Sequence, residues 1–235
     1  MNSLKPLVIV LIGPTASGKT ELAIEIADYF KINIHNVDSR QIYSDMDIGT
    51  AKPTKEQQER VKHYLINLTT PDRAINVKKF QEIATKSVNN EIKKGTYPFL
   101  VGGSGLYMNS IINGFITPQV PPQQMLRDQL SNLGQPQCWN LLSSCDPITA
   151  QKISSEDKIR TIRALEVFYA TGMSISSQQS IKPPPWQILE LGLDRNDLKM
   201  RISKRAEIMF KNGIINETRI LIKKYGAELS LLKTI

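Results

Sequence analysis

Cysteine is nearly absent from this sequence. Its 235 residues hold two, Cys138 and Cys145, seven positions apart and with no histidine pair nearby. That is not a metal-ligand spacing, and two thiols do not make a disulfide framework, so a zinc module and a stapled secreted scaffold are both excluded. Two reduced thiols in a cytosolic protein remain. The opening residues, MNSLKP, lack a charged segment leading into an apolar one, and no apolar run approaches bilayer-spanning length. Internal repeats and low-complexity tracts are missing too. The expectation is a soluble, cytoplasmic chain with no membrane partner.

What is present is ordinary for a globular protein with a real core: 40% apolar and 22% charged residues. Lys plus Arg number 30 against 22 Asp plus Glu, a formal net charge of +8. Such an excess fits a polyanionic partner, nucleic acid above all. A merely basic surface accounts for it equally well.

The first motif follows the apolar run LVIVLI (Leu7 to Ile12). Gly13, Pro14, Thr15, Ala16, Ser17, Gly18, Lys19 and Thr20 spell G-x-x-x-x-G-K-[ST], a loop whose backbone N–H groups cradle a chain of phosphates. Lys19 would reach the outer phosphates and the Thr20 hydroxyl would sit on Mg²⁺. Leu22, Ala23, Ile26, Ala27 and Phe30 then recur at helical spacing. Strand, glycine loop and helix together form the context the motif requires. The pattern specifies a di- or polyphosphate but not its carrier.

Further strands are predicted at Ile32 to Val37, at Tyr97 to Gly103 and, as a buried strand, at Trp186 to Leu193. A helix from about Asn76 to Lys94 would bury Val77, Phe80, Ile83, Ala84, Val88 and Ile92, with Gly95 as its stop. The alternation implies an α/β fold, a P-loop NTPase-like parallel sheet flanked by helices, with ligands outside the strand C-terminal ends. Asp38 and Ser104 fall at such ends, on the rim of Lys19. Between the stiff segments TPQVPP and KPPP the text turns helical and polar. Residues 118–184 therefore read as an inserted helical domain, and 1–117 with 185–235 as the core. One helix of the insert, near Asp157 to Thr171, is expected to bury Ile159, Ile162, Leu165 and Phe168. Another, about Asp197 to Asn212, carries Lys199, Arg201, Lys204, Arg205 and Lys211, which suit phosphate contact and ordinary solvation equally.

The polar stretch after Val37 suits reading a base edge, since Gln can pair with adenine and a carboxylate can accept from an amino group. The runs GPTASGKT, VDSRQIY, MDIGTAKP, VGGSGLY and IRALEVF, in that order, resemble the tRNA dimethylallyltransferases (tRNA isopentenyltransferases) across nearly the whole chain. The resemblance implies transfer of a dimethylallyl group from its diphosphate to N6 of the adenosine 3′ of the tRNA anticodon. The loop would then hold the donor's pyrophosphate rather than, or in addition to, that of ATP. Partners would be the tRNA anticodon stem-loop and dimethylallyl diphosphate, the cofactor Mg²⁺, and the protein a monomer.

By the same resemblance Asp38 takes the N6 proton; a second-shell Mg²⁺ carboxylate is the other role open to it. Ser39, Arg40, Gln41 and Ser104 (where the family usually has Thr) would meet the tRNA, as would Arg127 and the run Ile159, Arg160, Thr161, Ile162, Arg163. Two departures stand out. Asp45 occupies a position where the family more often has Gly. Family members also run on past LLKTI through a segment whose Arg or Lys contacts pyrophosphate, so one arm of that clamp is expected to be missing. A P-loop small-molecule kinase and a shortened tRNA-binding form with little turnover are the rival readings. The kinase would need an Arg-rich lid, and the insert shows none.

Overall fold

The structure is a computed structural model that describes residues 5–233. Within it the chain divides into two compact units, one made of the segments up to Asn113 and from Pro183, the other of Gly114–Lys182.

The first unit opens with β1 (Leu7–Ile12), α1 (Lys19–Phe30), β2 (Ile34–Val37), α2 (Lys55–Arg60), β3 (His63–Tyr64), α3 (Val77–Lys93), β4 (Phe99–Gly102) and α4 (Gly105–Ile112). The second unit contains β5 (Phe115–Ile116), α5 (Gln124–Leu133), α6 (Gln135–Cys145), α7 (Pro147–Lys152), α8 (Lys158–Thr171), α9 (Ile175–Gln178) and β6 (Ser180–Ile181). The chain then returns to the first unit as β7 (Gln187–Gly192), α10 (Leu198–Lys211) and α11 (Ile214–Tyr225).

Five strands form a wholly parallel sheet in the order β3-β2-β4-β1-β7. Side chains alternate across a strand, so β1 and β4 supply two cores. On one face Leu11, Phe99 and Val101 pack with Ala23, Ile24 and Ala27 of α1. On the other, Val8, Val10 and Leu100 pack with Phe80, Ala84 and Val88 of α3 and with Met108 and Ile111 of α4. This is the doubly covered sheet that the apolar runs predict. The α3 boundaries follow from its caps. The Asn76 side chain accepts from the Lys79 N–H at 2.8 Å, and Gly95 stops the helix at φ 75°.

Two expectations need correction. The strand after KPPP is not buried. β7 pairs with β1 alone among the described residues, and Leu189 and Leu191 remain 45% and 39% exposed. It is the sheet's edge, and α10, which follows it, carries no buried residue. The short strand β3, two residues long, is additional to those read from the sequence.

In the second unit β5 and β6 form an antiparallel ribbon, Phe115 opposite Ile181. Its helices pack around Leu130, Cys138, Leu142, Ala150, Ile162, Ala164 and Leu165. The buried stripe of α8 differs from the expected one: Thr161, Ile162, Ala164, Leu165, Glu166 and Val167 are inside, while Ile159 is 83% exposed. Ile159 lies in the first turn of α8, on its exposed face.

Candidate functional site

Register places four strand ends in a row. Val37 pairs with Gly102, Gly102 with Ile12, and Ile12 with Gly192. The next residue of each strand therefore leaves the sheet on the same rim: Asp38, Gly103, Gly13 and Leu193. Gly102 is required for this closeness, because a Cβ there would lie 2.0 Å from the Val37 carbonyl oxygen. A Cβ on Gly13 would lie 2.4 Å from the Leu193 carbonyl oxygen.

The loop from Gly13 to Thr20 leads directly into α1. Its N-cap is Gly18, at φ 93°, with no side chain capping the helix. The first N–H groups of a helix have no intrahelical partner, and with the helix dipole they favour an anion. Ser17 is buried, and the Lys19 ammonium donates to the carbonyls of Gly13 at 2.7 Å and Pro14 at 2.6 Å. Burial lowers the Lys19 pKa from the usual lysine value; Asp38 opposes that and Arg205 adds to it.

Two of the arginines left open between phosphate contact and solvation approach from α10. Arg201 Nε donates to the Ala16 carbonyl at 2.6 Å. Arg205 has its pKa lowered by burial, against the pull of Asp38 and Glu21, so its guanidinium shares the surroundings of Lys19 and Asp38. The sequence did carry a signal: the two lie four apart, on one helical face.

Asp38 Oδ1 accepts from the backbone N–H of Arg40 at 2.7 Å and of Gln41 at 3.2 Å. Ser104 Oγ accepts from the Ser39 N–H at 3.1 Å, joining the loops after β2 and β4. Tyr107, on α4, packs against the core nearby, its hydroxyl donating to the Ile75 carbonyl at 3.4 Å. Burial raises its pKa, as do Tyr43 and Asp38, while Arg40 opposes them. Gln41 is buried, and its amide donates to the carbonyls of Thr50 at 3.2 Å and Ala51 at 3.1 Å while accepting from Asn36 Nδ2 at 2.6 Å. It shapes the loop from within.

Among the described residues no group of three or more His, Cys, Asp or Glu is arranged to hold a metal ion. The Thr20 hydroxyl at the start of α1 fits Mg²⁺ in the form phosphate sites commonly use, with the ion carried mainly by substrate oxygens.

In the second unit the expected RNA residues separate by burial. Thr161 is fully buried and Ile162 is 9% exposed, so both belong to the interior. Arg127 and Arg163 both bind Glu166, whose side chain is 0% exposed. Arg127 Nε and Nη2 meet its two oxygens at 2.7 and 2.9 Å. Arg163 Nη2 also donates to the Val120 carbonyl at 2.9 Å. Ile159 and Arg160 stay on the surface, Arg160 beside Asp157 at 3.5 Å.

Comparison with known proteins identifies the family. The family described as IPP transferase matches residues 41–235. A tRNA dimethylallyltransferase from Prochlorococcus marinus subsp. pastoris is 65% identical over 231 residues, covering 98% of this chain and 77% of the relative. The crystal structure of a tRNA isopentenylpyrophosphate transferase from Staphylococcus epidermidis is similar at 33% identity and a TM-score of 0.63, covering 95% of this chain and 76% of that one. A eukaryotic dimethylallyltransferase, described as acting on tRNA, matches with a TM-score of 0.73 at 27% identity, over 94% of this chain and 56% of that one. The chain is thus a member of the IPP transferase family, the tRNA dimethylallyltransferases.

Proposed function

We propose that this chain transfers the dimethylallyl group of dimethylallyl diphosphate to N6 of the adenosine 3′ of the tRNA anticodon, releasing pyrophosphate. The observation that carries the proposal is the pairing, on one rim, of an open anion cradle with Asp38, whose charge acts on both Lys19 and Arg205.

The loop N–H groups, Lys19, Arg201 and Arg205 bind the diphosphate and stabilise the charge that builds on it as the allylic C–O bond breaks. Mg²⁺, held by Thr20 and the phosphate oxygens, would supply further charge neutralisation. The N6 lone pair forms the new C–N bond at the same carbon, and the Asp38 carboxylate takes the N6 proton. The amine is a weak nucleophile because its lone pair is delocalised into the ring, so that proton must leave as the bond forms. Ser39, Arg40 and Ser104 line the acceptor side, with Gln41 holding its loop. The adenine has to leave the anticodon-loop stack to reach the rim. On the second unit, Ile159 and Arg160 are the exposed candidates for tRNA contact, with Arg127 and Arg163 held by Glu166. The protein acts as a cytoplasmic monomer.

Labelled dimethylallyl diphosphate, Mg²⁺ and an anticodon stem-loop test the proposal. Label should enter the RNA with the native chain and not with Asp38→Asn, while the variant still binds RNA. Loss of metal affinity alone in Asp38→Asn would assign Asp38 to the ion. Consumption of ATP with no prenyl transfer would identify a kinase instead.

A further inference from the structure

We infer that Glu217 is a positioning residue for the transfer step, holding the backbone of the acceptor loop on which Asp38 is aimed. The inference rests on the proposed role of Asp38 as base. Glu217 lies in the first turn of α11, on the far side of the sequence from that loop. Its carboxylate accepts from three consecutive backbone N–H groups: Asp47 at 2.9 Å and Ile48 at 2.8 Å on Oε2, and Gly49 at 2.9 Å on Oε1. Successive N–H groups turned toward one point form an anion-binding concavity. In this protein the anion is the chain's own carboxylate.

Hydrogen bonds and the intervening backbone connect it to Asp38. Gly49 is followed by Thr50 and Ala51, whose carbonyls accept from Gln41 Nε2. The Gln41 backbone N–H in turn donates to Asp38 Oδ1. A second tether runs alongside, with Lys224 Nζ and the Tyr225 hydroxyl reaching Asp45 Oδ2 at 2.7 and 2.6 Å. Lys52 ties the inside of the loop to the Tyr43 carbonyl, to Asp47 and to Asn67.

The loop needs such tethers. Asp45 and Ala51 adopt left-handed backbone, φ 64° and 45°, which residues with a Cβ hold only when their surroundings over-determine it. The same helix pair touches the donor side, since Arg201 of α10 binds the Ala16 carbonyl. The α10–α11 segment therefore fixes the P-loop at one end and the acceptor loop at the other, the geometry a transfer between two bound substrates requires.

Glu217→Ala and the isosteric Glu217→Gln test this with the labelled stem-loop reaction. The expected result is a kcat lowered about 10- to 100-fold, with inorganic pyrophosphate affinity and thermal midpoint close to the native chain's. Added formate should restore kcat of Glu217→Ala saturably by entering the vacated concavity, and should do nothing for Asp38→Asn. Native kcat in both variants overturns the inference, as does a loss of kcat that tracks loss of folding and ignores formate. If the native chain itself transfers no label, the reading of the reaction fails, and the role of Glu217 in it fails with it.

Discussion

Arg127 lies along the Glu166 carboxylate in a two-point contact, Nε to Oε1 at 2.7 Å and Nη2 to Oε2 at 2.9 Å, on a glutamate side chain that is 0% exposed. Arg163 reaches the same carboxylate from one helical turn away. Burial alone would raise the Glu166 pKa. The hydrogen bonds from Arg127, the Gln123 N–H and Arg163 outweigh it and hold the group at about 2. Glu166→Ala leaves Arg127 and Arg163, whose side chains are 35% and 31% exposed and can turn to water, so it should destabilise the protein by about 1.5–3 kcal/mol, the worth of hydrogen bonds to a charged group. The pH dependence has a definite sign. The folded pKa lies below the unfolded one, so the stabilisation is complete above about pH 4.5 and is lost as pH falls toward 2. Urea unfolding of native and Glu166→Ala chains over that range checks both. Equal stability at neutral pH would show the cluster to be dispensable.

The same contacts distinguish the two arginines expected to meet RNA. Arg163 carries charge on α8 but is committed to Glu166 and to the Val120 carbonyl, whereas the Arg160 side chain is 70% exposed. Arg160→Ala should therefore weaken stem-loop binding and reduce the slope of log K against log salt by about 1. Arg163→Ala should lower the thermal midpoint instead and leave the slope unchanged. Filter binding at several salt concentrations separates the two, and a change of slope in Arg163→Ala alone would return the RNA contact to that residue.

At the rim, Arg201→Ala should weaken binding of inorganic pyrophosphate about 10- to 100-fold, the loss of a charged hydrogen bond of about 1.5–3 kcal/mol. Arg201→Lys should recover only part, because a point charge does not reproduce the guanidinium fork. Calorimetric titration with pyrophosphate reads both. Unchanged affinity in Arg201→Ala would make its bond to the Ala16 carbonyl a packing contact only.

The rim was legible because its signals are local. An apolar run, a glycine loop and a helical stripe lie within Leu7 to Phe30, and the polar residues Asp38 and Ser104 follow strands of their own. Edge exposure is not local: Leu189 and Leu191 read as buried because an apolar parallel strand is usually covered on both faces. Neither was the pairing of Glu217 with Asp47, Ile48 and Gly49, separated by 168–170 residues. Arg163 and Glu166 stand three apart on one helix, yet the contact that completes the Glu166 carboxylate comes from Arg127 on α5. Charge identity is written in the sequence; whether a charge faces water is decided by packing.

His35 supplies a second pH window, distinct from that of Glu166. It is fully buried in the middle of β2, its ring 4.9 Å from that of Tyr64. Burial pulls its pKa down from 6.5 to about 4, with Lys94 assisting and Glu91 opposing. The unfolded chain thus binds a proton that the folded one refuses between those values. Stability should fall as pH drops from about 6.5 to 4, by up to roughly 3 kcal/mol at about 1.4 kcal/mol per pKa unit. His35→Phe keeps an aromatic ring against Tyr64 and removes the titration. Its denaturation midpoint should vary less with pH than the native one between pH 6.5 and 4, and below that window the two curves should run parallel, with the changed offset kept. Parallel curves throughout would mean that His35 accepts its proton in the folded state without cost, and that burial at this position is less complete than the packing of β2 implies.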